Sequence, residues 1–229
     1  MKKIKKVILF THDKYQKNKD IIKLSAFLKR KKIDTEILLQ SSKNVKIVST
    51  EENLQPSSKI NNTSLKSYGL IIVFGGDGLF LSASKFAYFL NIPILGINFG
   101  KIGFLVDVDK KDILKKVYEI ILGDYIIDKR MLIDANVQDA NDNKITSTSL
   151  NDIVVYNYGL LKMIQAKIYI NNFLVNIQRS DGVIISTPTG STAYSMSNGC
   201  PIVSPDAKVI SITPISPHTY SHRPLIINH

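Results

Sequence analysis

The sequence predicts an α/β amino-terminal domain with an open, mostly parallel sheet, followed by a mostly β carboxy-terminal domain. Three observations predict this. Strand-like and helical segments alternate up to about residue 122. Leu70 to Phe74 is a continuous apolar run that stops at Gly75, as a strand covered on both faces does. Beyond Gly123 the apolar runs become short and rich in β-formers. The division falls between 1–122 and 123–229.

Taken in order, Lys5 to Phe10 reads as the first strand. Ile21, Ile22, Leu24, Ala26, Phe27 and Leu28 recur at helical spacing, with Lys23, Lys29 and Arg30 on the polar face. Thr35 to Leu39 is the second strand, and the polar stretch from Gln40 to Ser67 reads as loop with weak structure. After the Leu70–Phe74 strand, Leu79 to Leu90 is helical, Asn91-Ile92-Pro93 breaks the helix, and Ile94 to Ile97 begins another buried strand. A helix over Ile113 to Gly123 joins the halves. In the second half, strands are expected at Met131–Val137, Ile153–Tyr156, Ile164–Ile170, Phe173–Ile177, Val183–Ser186 and Val209–Thr213. Asn171-Asn172 marks a hairpin turn, because asparagine tolerates positive φ, and Ala140 to Asn143 marks a second turn.

Composition narrows the functional classes. The chain has 229 residues, enough for a sizeable core, and is 44% hydrophobic and 21% charged. One cysteine, Cys200, excludes an internal disulfide framework, fits a reducing compartment and reads as a small packed hydrophobe. The apolar run Val7 to Phe10 is too short for a signal-peptide core, and no run approaches the roughly 18 apolar residues of a membrane helix. A cytoplasmic protein with no membrane partner is expected. The net charge of +11 suits a polyanionic partner. Its lysines flank apolar segments instead of interleaving with aromatics, so nucleic acid is not the expected partner.

Two motifs carry chemistry. Gly75-Gly76-Asp77-Gly78 joins a buried strand to a helix, where backbone amides and the helix amino end favour phosphate. Asp77 in such a turn repels phosphate, which points it at a hydroxyl or a metal. The second motif is Ser180 to Gly199, in which a strand enters a turn dense in Thr, Ser and Gly, with Tyr194 offering a flat face for a base.

These segments resemble the NAD kinase family. Gly75–Gly78 resembles the Gly-Gly-Asp-Gly-Thr motif that this family shares with diacylglycerol-type lipid kinases and phosphofructokinases; Leu79 stands where Thr is usual. Gly96-Ile97-Asn98-Phe99-Gly100-Lys101-Ile102-Gly103-Phe104-Leu105 resembles the family's second glycine-rich stretch, and Leu150-Asn151-Asp152 its Leu-Asn-Glu, with Asp in place of Glu. The run from Ser180 to Gly199 is similar to the family signature nearly residue for residue, and Pro214 to Leu225 resembles a later segment in which His218 reads as structural. Family members continue through further β structure after that segment, whereas this sequence ends at His229.

The resemblance implies transfer of the terminal phosphoryl group of ATP, or of polyphosphate, to the 2′-hydroxyl of the adenosine ribose of NAD. Asp77 would contact or deprotonate that hydroxyl, and Gly75, Gly76 and Gly78 would hold donor phosphates. Phe104 would form an apolar wall. Asn151 and Asp152 would fix a ribose, while Asp181, Thr189, Thr192, Ala193, Tyr194 and Ser197 would line the NAD pocket. Mg²⁺, or another divalent cation, would accompany ATP, with no residue assigned as its ligand. A homodimer or homotetramer is implied. The alternatives are a non-catalytic NAD(P)-binding protein and a lipid kinase of the same GGDG superfamily.

Overall fold

Strand β1 (Lys6–His12) lies at the middle of a sheet because its Val7 to Thr11 side chains are all buried. The computed structural model describes residues 4–15, 17–41, 45–49, 67–100, 103–106, 108–157, 159, 162–219 and 222–229. They belong to two compact units, Met1–Ile127 and Asp128–His229.

In the first unit β1 is followed by α1 (Lys19–Arg30), β2 (Asp34–Gln40), β3 (Val45–Ser49), β4 (Leu70–Gly75), α2 (Asp77–Leu90), β5 (Ile94–Asn98), β6 (Val108–Asp109) and α3 (Ile113–Leu122). The sheet order is β3-β2-β1-β4-β5-β6. All pairs are parallel except β2 with β3. Alternation along the strands sorts the core into two layers. Val7, Leu9, Leu70, Ile72 and Phe74 pack with Ile21, Leu24 and Leu28 of α1 and Ile113 and Val117 of α3. Ile8, Phe10, Ile71 and Val73 pack with Ala83, Ala87 and Leu90 of α2.

The helix ends follow local chemistry. Asn18 caps α1 by accepting from the Asp20 N–H at 2.8 Å, and Lys29 and Arg30 sit at its negative end. Asn91, at φ 53°, and Gly123, at φ 94°, end α2 and α3 in the left-handed conformation. β3 is an antiparallel strand inside the stretch read as loop; residues 50–66 lie outside the described residues.

The second unit is built from antiparallel strands. β7 (Ile133–Gln138) pairs with β8 (Lys144–Ser149). β9 (Asp152–Tyr156) forms one edge of a four-stranded sheet. β10 (Ile164–Ile170) and β11 (Phe173–Ser180) form a hairpin whose turn residues Asn171 and Asn172 take φ 48° and 68°. β12 (Gly182–Ser186), β13 (Val209–Ile215) and β14 (Leu225–Asn228) complete the sheet in the order β14-β13-β12-β9. Between β12 and β13 lie a 3₁₀ turn, Thr189–Thr192, and the one-turn helix α4 (Tyr194–Ser197). An α/β unit with a mostly parallel sheet precedes a mostly β unit. Cys200 is buried and free, and no helix among the described residues is long and apolar enough to cross a membrane.

Candidate functional site

In the first unit the sheet order reverses direction between β1 and β4: β2 lies outside β1 and β5 outside β4. Helices that follow these two strands pack on opposite faces, which opens a crevice beyond the strands' carboxyl ends. The Thr11 hydroxyl donates to the Phe74 carbonyl at 3.3 Å and ties the two strands at that end. Gly75 closes β4, Gly76 is the extended residue before α2, and Asp77 and Gly78 open the helix. The positive end of a 14-residue helix therefore faces the crevice.

Asp77 has a specific occupation there. Its Oδ2 accepts from the Phe104 N–H at 2.8 Å and its Oδ1 from the Leu105 N–H at 3.2 Å. The carboxylate thus fixes the end of the second glycine-rich stretch, leaving further acceptor positions for a ligand hydroxyl. Gly103 is forced by this contact, since a Cβ at that position would run into the Asp77 carboxylate. Phe104, held through its amide, leaves 60% of its surface exposed. Leu79 takes up packing: a Cβ on Gly75 would stand 2.6 Å from Leu79 Cδ2, and Leu79 packs against the α2-side core. Lys101 and Ile102 of this stretch lie outside the described residues.

The second unit joins two other motifs. Asn151 and Asp152 enter β9 beside the exit of β12, because Asp152 pairs with Ser186. The Thr187 N–H donates to the Asn151 carbonyl at 2.9 Å, and the Thr187 hydroxyl donates to the Leu150 carbonyl at 2.6 Å. The same hydroxyl accepts from the Gly190 N–H at 3.1 Å. Gly190 lies so close to the Asn151 backbone that a Cβ would strike the Asn151 carbonyl oxygen. The Asn-Asp pair and the Thr189–Ser197 turn are therefore one interlocked structure. Asn151 Oδ1 is buried with no hydrogen-bond partner, and burial raises the Asp152 carboxyl above its ordinary value.

Much of the turn's polarity is consumed internally. The Ser191 hydroxyl donates to the Pro188 carbonyl at 2.7 Å and accepts from the Val203 N–H at 3.0 Å. The Thr192 hydroxyl donates to the Thr189 carbonyl at 3.2 Å. Tyr194 and Ser197 are exposed, and Thr192 and Ala193 are half-buried beside them. Thr189 is buried, and its hydroxyl accepts from Arg130 Nη1 at 3.4 Å. Arg130 was not singled out by the sequence reading, because no motif surrounds it. A paired Asp128, at 2.6 Å, orients its guanidinium. Asp181 stands apart: it precedes β12, whereas the turn follows β12, so about five residues or ~16 Å of strand separate them. It is exposed, and its backbone bonds to Ile215 and Asn157. The strand expected over Val183–Ser186 already implies that separation.

Comparisons with known proteins agree with this anatomy. Residues 13–125 match the ATP-NAD kinase N-terminal domain, and residues 150–229 match the ATP-NAD kinase C-terminal domain. An NAD kinase of Clostridium perfringens (strain 13 / Type A) is 41% identical over 194 residues, covering 81% of this chain and 70% of that one. An NAD kinase of Teredinibacter turnerae is 43% identical over 158 residues, covering 69% of this chain and 54% of its own length. One from Salmonella dublin is 44% identical over 159 residues, with the same two shares. The chain thus spans about half the length of several of these relatives. A yeast NADH kinase crystallised with NADH superposes with a TM-score of 0.83 at 23% identity, covering 100% of this chain and 71% of that one. An Archaeoglobus fulgidus NAD kinase in complex with ATP gives 0.71 at 22%, covering 97% and 77%. With two family domains in the expected order and a relative 41% identical over 81% of its residues, the chain belongs to the NAD kinase family.

Proposed function

We propose that the chain phosphorylates NAD to NADP, moving the terminal phosphoryl group of ATP to the 2′-hydroxyl of the adenosine ribose. The observation that carries this reading is the interlock of the Leu150–Asn151 segment with the Thr187–Gly190 turn, which joins the residues we assign to the ribose to those we assign to the base. Asn151 and Asp152 fix a ribose. Thr189, Thr192, Ala193, Tyr194 and Ser197 receive the rest of the dinucleotide, with Tyr194 stacking on a base. Asp181, remote from the turn, is assigned to the same ligand only by resemblance.

In the first unit Gly75, Gly76 and Gly78 present the start of α2 to the donor phosphates. Phe104 forms an apolar wall. Asp77 accepts a hydrogen bond from the attacking hydroxyl and takes up its proton as the bond to phosphorus forms and the bond to the ADP oxygen breaks. Phosphoryl transfer asks little covalent chemistry of a protein, so positioning of this kind is the main contribution.

The donor enters as its Mg²⁺ complex, or with another divalent cation. Such a cation is carried on the donor phosphates with at most one or two carboxylates, and no residue is assigned as its ligand. Polyphosphate offers the same terminal anhydride. A cytoplasmic homodimer or homotetramer completes the reading, and light scattering tests its mass. The acceptor is tested by offering NAD and diacylglycerol separately with ATP and Mg²⁺. NADP formation without phosphatidic acid is expected; phosphatidic acid without NADP would assign the chain to lipids.

A further inference from the structure

Three buried hydroxyls, those of Ser186, Ser195 and Ser211, form a chain into the turn that exposes Tyr194 and Ser197, and the chemistry above leaves them unused. Ser186 ends β12 and faces Ser211 of β13 in register, their hydroxyl oxygens 2.5 Å apart. Ser195, in α4, donates to Ser186 Oγ at 2.9 Å. Ser186 and Ser195 are wholly buried and Ser211 is 2% exposed, so water cannot replace any of these bonds. On its other side Ser186 pairs with Asp152 of β9. One residue therefore stands in register between the half-buried carboxyl and the hydroxyl chain that reaches the turn.

A helix of four residues cannot hold its own shape, since helix initiation costs more than one turn returns. Among the described residues neither Pro188 before the 3₁₀ turn nor Ala193 before α4 supplies a side-chain cap. The Asn198 side-chain amide closes the turn by donating to the Tyr194 carbonyl at 3.1 Å, and Ser195 ties α4 to the sheet. The Ser195 hydroxyl anchors the helix to the sheet, and its carbonyl accepts the Asn198 and Cys200 amides at 3.0 and 3.1 Å. Tyr194 and Ser197 lie before and after that anchor in the chain, and both are exposed. A shift of Ser195 moves them relative to Asp152.

We infer that Ser195, through Ser186 and Ser211, is the positioning residue that sets Tyr194 and Ser197 against Asp152 for dinucleotide binding. The inference rests on the NAD-kinase reading and adds three residues that never touch the ligand. Only the acceptor side is served by this chain of hydroxyls, because all three serines belong to the second unit while the donor phosphates are assigned to Gly75, Gly76 and Gly78.

The test uses the full chain. Ser195→Ala should raise the calorimetric Kd and the KM for NAD about tenfold, the weight of one buried hydrogen bond. The KM for ATP should stay within about twofold and kcat at saturating NAD within about threefold, since no donor or proton-transfer group moves. Ser195→Cys keeps the branching of the side chain and a weak donor, with a slightly larger atom at the hydroxyl position. It should bind NAD with intermediate affinity, and it supplies the measurement if the alanine variant does not fold. Wild-type affinity for NAD in either folded variant overturns the inference. So does an equal rise in the KM for NAD and ATP, which marks general loosening. Absence of NAD binding by the wild-type chain defeats the functional reading itself, and the two failures are distinguished by that control.

Discussion

Asp77 spends two acceptor positions on the Phe104 and Leu105 amides, so replacing it removes a hydroxyl acceptor and also releases a loop. Asp77→Asn keeps the side-chain volume and one acceptor. It should lower turnover by about 10²–10⁴-fold, the usual weight of a positioned acid–base group, with the melting temperature little changed. Gly103→Ala separates the two roles. The new Cβ meets the carboxylate, so activity should fall although Asp77 is intact; steady-state rates near wild type would show that Gly103 does not constrain it. Asp152 gives a pH signature. Burial raises its carboxyl, so the folded chain keeps that proton to higher pH than the unfolded chain does. Stability from this group is therefore greatest in acid and falls as pH rises from the ordinary carboxylate range through the raised value. Asp152→Asn should melt above wild type at pH 7, with the gap narrowing towards pH 4, while its affinity for NAD falls. A constant gap across pH would remove burial as the cause. Residue types at these positions were legible from the motifs. The amide bonds of Asp77 were not, because they join residues 27 and 28 positions apart.

At the scale of elements, legibility followed burial. β1, β4 and β5 each hold a short apolar run, Val7–Phe10, Leu70–Phe74 and Ile94–Ile97, and α1 shows a single apolar stripe, so each is readable from the sequence. The Asn171-Asn172 turn was readable because both residues take the positive φ that asparagine tolerates. β8, with the sequence Lys-Ile-Thr-Ser-Thr-Ser, is mostly exposed and has no buried face to impose alternation, and β14 has only four residues. Both escaped the sequence reading. The hydroxyl-rich turn was found for its density of polar groups, yet most of that density holds the turn together. Thr187 shows this best, bridging the Leu150 carbonyl and the Gly190 amide from a wholly buried position. Thr187→Val keeps the shape and removes both bonds. It should cost about 1–3 kcal/mol, the penalty for leaving buried partners unpaired, measured by urea denaturation. An unchanged midpoint would mean that the Leu150–Asn151 segment is held by other contacts.

For the whole molecule, charge and chemistry are divided in the same way. Met1–Ile127 carries 22 basic and 12 acidic residues, whereas Asp128–His229 carries 8 and 7. The excess positive charge thus belongs to the unit assigned to the polyanionic donor, and the nearly neutral unit to the dinucleotide. The fold class follows from the order of periodicities along the chain, and the family from five segments spread over both units. Which residues meet follows only from topology: β9 and β12 must pair before the Asn151 backbone can meet Gly190. The most direct test of the central claim supplies the full chain with NAD and Mg²⁺-ATP labelled in its terminal phosphoryl group. Label should appear at the 2′-position of NADP in step with ADP release, and Asp77→Asn should slow its appearance by about 10²–10⁴-fold. Label that never enters NADP, or that enters it equally with Asp77→Asn, would contradict the account.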